Sequence, residues 1–144
     1  MEQEIIGRAS EIQQLRQCVQ SKESELVVVY GRRRVGKTYL VNQFFKNKYI
    51  FKLTGVYNQP TSVQLERFAA QMEEYGCDAI VPENWYKAFD MLKRQLQHTN
   101  IQEKKVVFID EMPWLDTEGS NFVAAFEHFW NGWASAEGNI LLIA

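Results

Sequence analysis

One segment of the chain carries two glycines, a lysine and a threonine at the spacing of a phosphate-binding loop. It reads Gly31-Arg-Arg-Arg-Val-Gly-Lys-Thr38 and fits the pattern GxxxxGK(S/T). Gly31 and Gly36 permit the backbone conformations that turn successive N–H groups toward an anion. Lys37 would reach the β- and γ-phosphates of a nucleotide, and the Thr38 hydroxyl would ligate Mg²⁺. The segment lies between an apolar run and a predicted helix, so it predicts a nucleotide-phosphate site.

The residues between the two glycines extend this predicted site. Their backbone amides would help to line the phosphate cradle whatever their side chains do. Each arginine side chain has two interpretations: a guanidinium on a phosphate or on a partner's acidic group, or a solvated cation at the loop rim. The predicted nucleotide-binding residues of this segment are Gly31, Arg32, Arg33, Arg34, Val35, Gly36, Lys37, Thr38 and Tyr39.

A second candidate element is an apolar run, Val106–Ile109, that ends in the carboxylates Asp110 and Glu111. Asp110 is predicted to hold the Mg²⁺ shell, usually through water. Glu111 is predicted to polarise the water that attacks the γ-phosphate; the alternative is that it only caps the next turn. The predicted catalytic residues are Lys37, Asp110 and Glu111, and the predicted Mg²⁺ ligands are Thr38 and Asp110.

Alternating strands and helices must position these residues. Hydrophobic periodicity and turn residues predict helices over 10–20, 38–45, 61–75, 84–98 and 120–135, a turn over 31–37, and strands over 26–30, 49–53, 106–109 and 139–144. Such alternation is typical of a parallel sheet with helices on both faces. One strand and two helices separate Lys37 from Asp110, which favours a fold with an extra strand between the two motif strands. An aromatic stripe is predicted to be core: Phe122, Phe126, Phe129, Trp130 and Trp133.

Composition excludes several classes of protein. The 144 residues are 46% hydrophobic and 24% charged, as in one soluble globular domain, and the net charge of −2 gives no support to charge-driven nucleic-acid binding. No apolar run approaches the roughly 18 residues of a membrane span, and the N-terminus does not resemble a signal peptide. Cys18 and Cys77 form no CxxC pair, which excludes a disulfide scaffold or zinc module and favours the cytoplasm.

Four segments together resemble the archaeal-type ATPase family, which belongs to the STAND class of P-loop NTPases and is related to the AAA+ ATPases. The segments are Ile6-Gly7-Arg8 with Glu11, Tyr30–Thr38, Thr54-Gly55 and Phe108-Ile-Asp-Glu-Met-Pro-Trp-Leu115. The resemblance implies a three-layer α/β/α P-loop sandwich, a mostly parallel sheet of order 5-1-4-3-2, and ATP with Mg²⁺ as cofactors. It also implies that the protein is a nucleotide-driven switch or scaffold. By the same resemblance Gly7 and Arg8 would lie beside the adenine; the alternative is that these two residues only form a turn before the first helix.

The resemblance also sets expectations about what lies beyond Ala144. Members of the family continue into a sensor residue, a fifth strand and a lid. We therefore expect residues 1–144 to be the N-terminal part of the ATPase domain and to hydrolyse ATP slowly or not at all in isolation. Self-association or a partner protein would involve the missing C-terminal domains, and a nucleic-acid partner of the full protein stays open.

Three other functions are weighed against an ATPase. A GTPase would need an NKxD motif. Asn47 and Lys48 match its first two residues, but Ile50 occupies the position of the aspartate. A small-molecule kinase rarely needs a carboxylate to activate water, so Glu111 argues against it. A nucleotide-gated protein or DNA interaction module with little or no hydrolysis remains the main alternative.

Overall fold

A computed structural model describes residues 9–29 and 34–144. The strands are β1 (Glu25–Val27), β2 (Phe51–Thr54), β3 (Lys105–Asp110) and β4 (Ile140–Ile143). The helices are α1 (Ala9–Gln20), α2 (Arg34–Phe45), α3 (Thr61–Glu74), α4 (Trp85–His98), α5 (Phe122–Phe129) and α6 (Ser135–Glu137). A 3₁₀ turn, Met112–Leu115, follows β3, and a π-helical segment, Trp130–Ala134, joins α5 to α6.

The described strands form one sheet in the order β1-β4-β3-β2, and every neighbouring pair is parallel. The predicted α/β class with a parallel sheet is therefore confirmed. β4 is buried along its whole length, and β3 is buried at every residue after Lys105, which is typical of inner strands covered on both faces. Because the strands are parallel, their carboxyl ends meet at one edge, where Thr54 pairs with Asp110.

Helices cover both faces of this sheet. The larger core contains Phe51, Leu53, Val107 and Ile109 of the sheet together with apolar residues of α3, α4 and α5. On the other face, residues such as Phe108 and Leu141 pack against Leu15 of α1 and Val41 of α2. The predicted aromatic stripe lies in the larger core: Phe122 and Phe129 are buried, and Phe126, Trp130 and Trp133 pack partly buried around them.

Several elements differ from the sequence prediction. β1 ends at Val27 rather than at residue 30, and β2 covers Phe51–Thr54 rather than 49–53. α2 begins at Arg34, so the predicted turn over 31–37 is wrong for its last four residues. The apolar periodicity of this helix is clear only from Leu40 onward. Because glycine costs about 1 kcal/mol inside a helix, the presence of Gly36 led to a predicted helix start that is too late. The predicted single helix over 120–135 contains a π-helical segment, which brings Phe129 and Ala134, five residues apart, into the same core.

β2 is one of the two outer strands of the described sheet, and two side-chain amides lie along it. The Gln71 side chain donates to the Lys52 carbonyl (2.8 Å), and the Gln95 side chain donates to the Ile50 carbonyl (3.0 Å). The Gly55 N–H donates to the Asp110 carbonyl of β3. Because the backbone groups of successive residues in a strand point to alternate sides, the Lys52 carbonyl points away from β3. The outward Lys52 carbonyl therefore has a hydrogen-bond partner, as does the carbonyl of Ile50, just before β2.

The structure also describes the two cysteines and the lengths of the helices. Cys18 and Cys77 are free thiols, each partly buried. In the ranges 9–29 and 34–144, no helix combines the length and apolar character needed to cross a bilayer.

Candidate functional site

Asp110, the last residue of β3, connects the two sequence motifs. Thr38 Oγ1 donates a 2.5 Å hydrogen bond to Asp110 Oδ2, although 72 positions separate the two residues. Lys37 Nζ lies 3.8 Å from Asp110 Oδ1, within ion-pair distance. α2 begins at the carboxyl edge of the sheet, so its first turn presents Lys37 and Thr38 to the end of β3.

The Asp110 carboxylate is almost completely buried, at 2% exposure. Burying a carboxylate is expensive unless it is paired and hydrogen-bonded. Thr38 supplies one hydrogen bond, the Glu111 backbone N–H supplies a second at 2.9 Å to Oδ1, and Lys37 supplies the positive charge. These partners hold the carboxylate at a fixed position against α2.

Glu111 adopts the left-handed backbone conformation, with φ 55° and ψ 41°. It begins the 3₁₀ turn Met112–Leu115, whose Trp114 N–H donates to the Glu111 carbonyl at 3.1 Å. The left-handed region costs an L-residue roughly 1–2 kcal/mol. Such conformations persist where the surrounding structure fixes them, and they cluster at functional sites.

Gly55, which follows β2, lies directly against this turn. Its N–H donates to the Asp110 carbonyl at 2.9 Å. A Cβ at position 55 would lie 2.3 Å from the Glu111 carbonyl oxygen and 3.1 Å from Trp114 Cβ. Only glycine permits this approach, so Gly55 sets how closely the segment after β2 packs on Glu111.

Gln64, in the first turn of α3, is fully buried and has a dense set of hydrogen bonds. Its Oε1 accepts from Val56 N–H at 2.9 Å. Its Nε2 lies within hydrogen-bonding distance of the carbonyls of Val56 (2.8 Å), Gln59 (3.2 Å) and Trp114 (3.1 Å). The amide thus joins the segment after β2 to the turn after β3.

The role of Gln64 was not predicted from the sequence, although one signal was available. Gln64 shares helical spacing with the buried Phe68 and Met72, so it is a polar residue on an apolar stripe. Buried polar side chains are nearly always hydrogen-bonded. A glutamine at such a position therefore indicates a polar partner inside the protein.

The structure brings Lys37, Thr38 and Asp110 together, and Glu111 follows at the end of the same strand. Gly36 lies partly buried in the first turn of α2, whereas Tyr39 is at the surface, 36% exposed. Arg34 and Val35 open α2, but their side chains are outside the described part of the chain, as are the residues Gly7, Arg8, Gly31, Arg32 and Arg33. Among described residues no three His, Cys, Asp or Glu side chains cluster as metal ligands.

A parallel α/β sheet with this arrangement at its carboxyl edge is compatible with a P-loop-like fold. The chain belongs to a family described as an ATPase domain predominantly from Archaea, whose model matches residues 5–143. Membership suggests nucleotide binding, and it confirms the predicted resemblance to the archaeal-type ATPase family.

Two relatives come from the archaeon Methanocaldococcus jannaschii. An uncharacterized protein is 29% identical over 126 residues, which are 85% of this chain and 25% of that protein. An uncharacterized ATP-binding protein is 40% identical over 46 residues, which are 32% of this chain and 78% of that protein. The chain thus spans about a quarter of the length of the first relative.

Proposed function

We propose that this chain is the P-loop core of a Mg²⁺-dependent ATPase of the STAND type, which binds and hydrolyses ATP as a nucleotide-driven switch or scaffold. The observation that carries the proposal is the convergence of Lys37 and Thr38 on the buried Asp110. The family membership and the ATP-binding relative support ATP as the nucleotide. In this proposal β1-β4-β3-β2 is the 1-4-3-2 part of a 5-1-4-3-2 sheet, and residues 1–144 are the N-terminal part of the ATPase domain.

Lys37 would exchange partners when the nucleotide binds. Its ammonium lies 3.8 Å from Asp110 Oδ1, at the long end of the ion-pair range, and keeps 14% exposure. It can therefore turn toward phosphate oxygens beyond the first turn of α2, where the helix N-terminus also favours negative charge. Backbone N–H groups of Gly31–Gly36 would complete the cradle.

Thr38 and Asp110 fit a Mg²⁺ ion in different ways. Thr38 Oγ1 donates its proton to Asp110 Oδ2, and hydroxyl and carboxylate oxygens are both ligands that suit Mg²⁺. Thr38, whose proton is donated to Asp110, has lone pairs free for the ion, so we assign direct ligation to Thr38 and a water-mediated contact to Asp110.

Glu111 is our candidate for polarising the attacking water. It is partly buried and follows Asp110 directly, so its side chain starts beside the proposed Mg²⁺ site. A carboxylate there would accept hydrogen bonds from water and increase its nucleophilicity toward the γ-phosphate. A nucleotide-gated interaction module would use the same Lys37, Thr38 and Asp110 but would not depend on Glu111.

The test compares nucleotide affinity with phosphate release in single variants of the full-length protein. Lys37→Met should lose most of the calorimetric affinity for Mg·ATP, because charge-assisted phosphate contacts contribute about 1.5–3 kcal/mol each. Asp110→Asn should weaken the Mg²⁺ dependence of binding. Glu111→Gln should keep the affinity and lower phosphate release roughly 10²–10⁴-fold.

Matched controls are available at exposed positions outside the site. Lys48→Met, beyond the C-terminal end of α2, and Glu118→Gln, in the segment after the 3₁₀ turn, should leave both readouts at parental values. Unchanged affinity in Lys37→Met would refute the phosphate site. Parental phosphate release in Glu111→Gln, with nucleotide bound, would leave Glu111 as a cap and favour the interaction module.

A further inference from the structure

We propose that Gln64 is a positioning residue of this site: its side-chain amide fixes the turn that carries Glu111 against the segment that follows β2. The inference rests on the proposed function, since Glu111 is the group whose position would matter for hydrolysis. Gln64 itself lies on α3, and its side-chain hydrogen bonds go to the backbone of Val56, Gln59 and Trp114 rather than to Lys37 or Thr38.

The first support is that Gln64 completes the anchoring of Trp114. The Trp114 N–H donates to the Glu111 carbonyl and closes the 3₁₀ turn, while the Trp114 carbonyl accepts from Gln64 Nε2 at 3.1 Å. The residue is therefore bonded at one end to Glu111 and at the other to α3. Without the amide, the turn would keep its internal bond but lose this connection to the helix.

The second support is that the same amide holds the opposing segment. Both backbone groups of Val56 bond to Gln64, N–H to Oε1 and C=O to Nε2. Val56 follows Gly55, the residue packed against the Glu111 carbonyl. Gln64 therefore fixes both sides of the contact between Gly55 and Glu111.

Two further contacts join the same pair of segments. The Tyr57 ring meets the Trp114 ring edge-on, with centroids 4.4 Å apart. The hydroxyls of Thr61 and Thr117 lie 2.5 Å apart. The segment after β2 and the segment after β3 thus behave as one packed unit, with Gln64 as the buried residue at its centre.

The backbone of Glu111 explains why such a unit is needed. A left-handed, non-glycine residue persists only where its surroundings impose the conformation. Gly55 limits where the Glu111 carbonyl can lie, and Gln64 restrains Trp114 three residues later. Releasing Gln64 would let the turn relax and shift the side chain of Glu111 relative to Asp110.

The test separates turnover from binding in Gln64→Met, which keeps the length of the side chain and removes the amide. Displacing a catalytic group by about 1 Å can lower a rate roughly 10²-fold, so we expect kcat for ATP hydrolysis to fall roughly 10–100-fold. The affinity for Mg·ATP should stay within about threefold, because Gln64 makes no hydrogen bond to Lys37, Thr38 or Asp110. Amide hydrogen exchange in the nucleotide-free chain should accelerate at Gly55 and Trp114. Their N–H groups donate to the carbonyls of Asp110 and Glu111, which the substitution does not remove, so faster exchange there would report a looser turn.

Gln71→Met is the matched control. Gln71 is on the same helix and also donates to a backbone carbonyl, that of Lys52 in β2, but away from the turn. It should leave kcat and the exchange at Gly55 and Trp114 at parental values. Equal losses in the two variants would overturn the proposal in favour of general destabilisation, as would parental turnover and exchange in Gln64→Met.

The exchange measurement also keeps the two proposals distinguishable. If the parental chain neither binds nor hydrolyses ATP, the proposed function fails. Unchanged exchange at Gly55 and Trp114 in Gln64→Met would overturn the positioning role whatever the parental chain does with ATP.

Discussion

Replacing Gly55 by alanine should destabilise the protein through one steric contact. The added Cβ would meet the Glu111 carbonyl oxygen at 2.3 Å, whereas real Cβ contacts essentially never fall below 3.0 Å. The neighbour is a backbone atom whose carbonyl already accepts from Trp114 N–H, so it cannot rotate away as a side chain would. Overpacking of this kind costs typically 1–3 kcal/mol, occasionally more, and the lower entropy of the unfolded alanine chain returns about 0.4–1 kcal/mol.

We therefore expect a net loss of about 1–2 kcal/mol, which for a chain of this size lowers Tm by roughly 2–8 °C. Thermal unfolding followed by circular dichroism, without nucleotide, measures the change. Gly132→Ala is the control, because the nearest atom to its added Cβ is His128 Nδ1 at 4.0 Å. That variant should keep or slightly raise Tm; equal Tm values for Gly55→Ala and the parental chain would refute the close approach of the two segments.

The remaining predictions concern charge, pH and metal. Lys37→Met should lower the nucleotide-free unfolding free energy by about 1–3 kcal/mol, because the buried Asp110 loses its cation, and denaturant titration should show part of the loss restored by adding Asp110→Asn. Burial, with smaller contributions from other acidic groups, raises the pKa of Tyr49 above its ordinary value. Its stabilising effect is therefore complete below about pH 10 and declines at higher pH, so the stability difference between the parental chain and Tyr49→Phe should shrink there. Chelating Mg²⁺ should weaken ATP binding in calorimetry but leave the nucleotide-free Tm unchanged; a Tm that falls with chelator would mean that the fold itself holds a metal.

The meeting of Lys37 and Thr38 with Asp110 could be predicted from the sequence. One motif opens a helix after a strand, the other ends a strand, and parallel strands bring such positions to the same edge. The contacts of Gly55 and Gln64 could not be predicted in this way. Gln64 and Trp114 are 50 positions apart, and their hydrogen bond depends on how two irregular segments pack, which neither period nor propensity encodes.

The start of α2 shows a different limit of sequence reasoning. A glycine in the first turn lowers helix propensity, yet the first N–H groups of a helix have no intrahelical partner in any case. That turn is therefore a place where a poor helix former is tolerated, and a propensity argument puts the boundary too late. The π-helical segment was missed because a 3.6-residue period assumes that the helix does not change its winding.

The two glutamines along β2 restrict how this sheet can grow. An incoming strand pairs with the free backbone groups of an outer strand, and such pairing underlies both strand exchange and aggregation. The carbonyl of Lys52 in β2 and that of Ile50, the residue before β2, are already bonded to Gln71 of α3 and Gln95 of α4. A strand that added at this edge would have to displace these side-chain amides, so β-pairing between copies here would cost hydrogen bonds that the chain already makes.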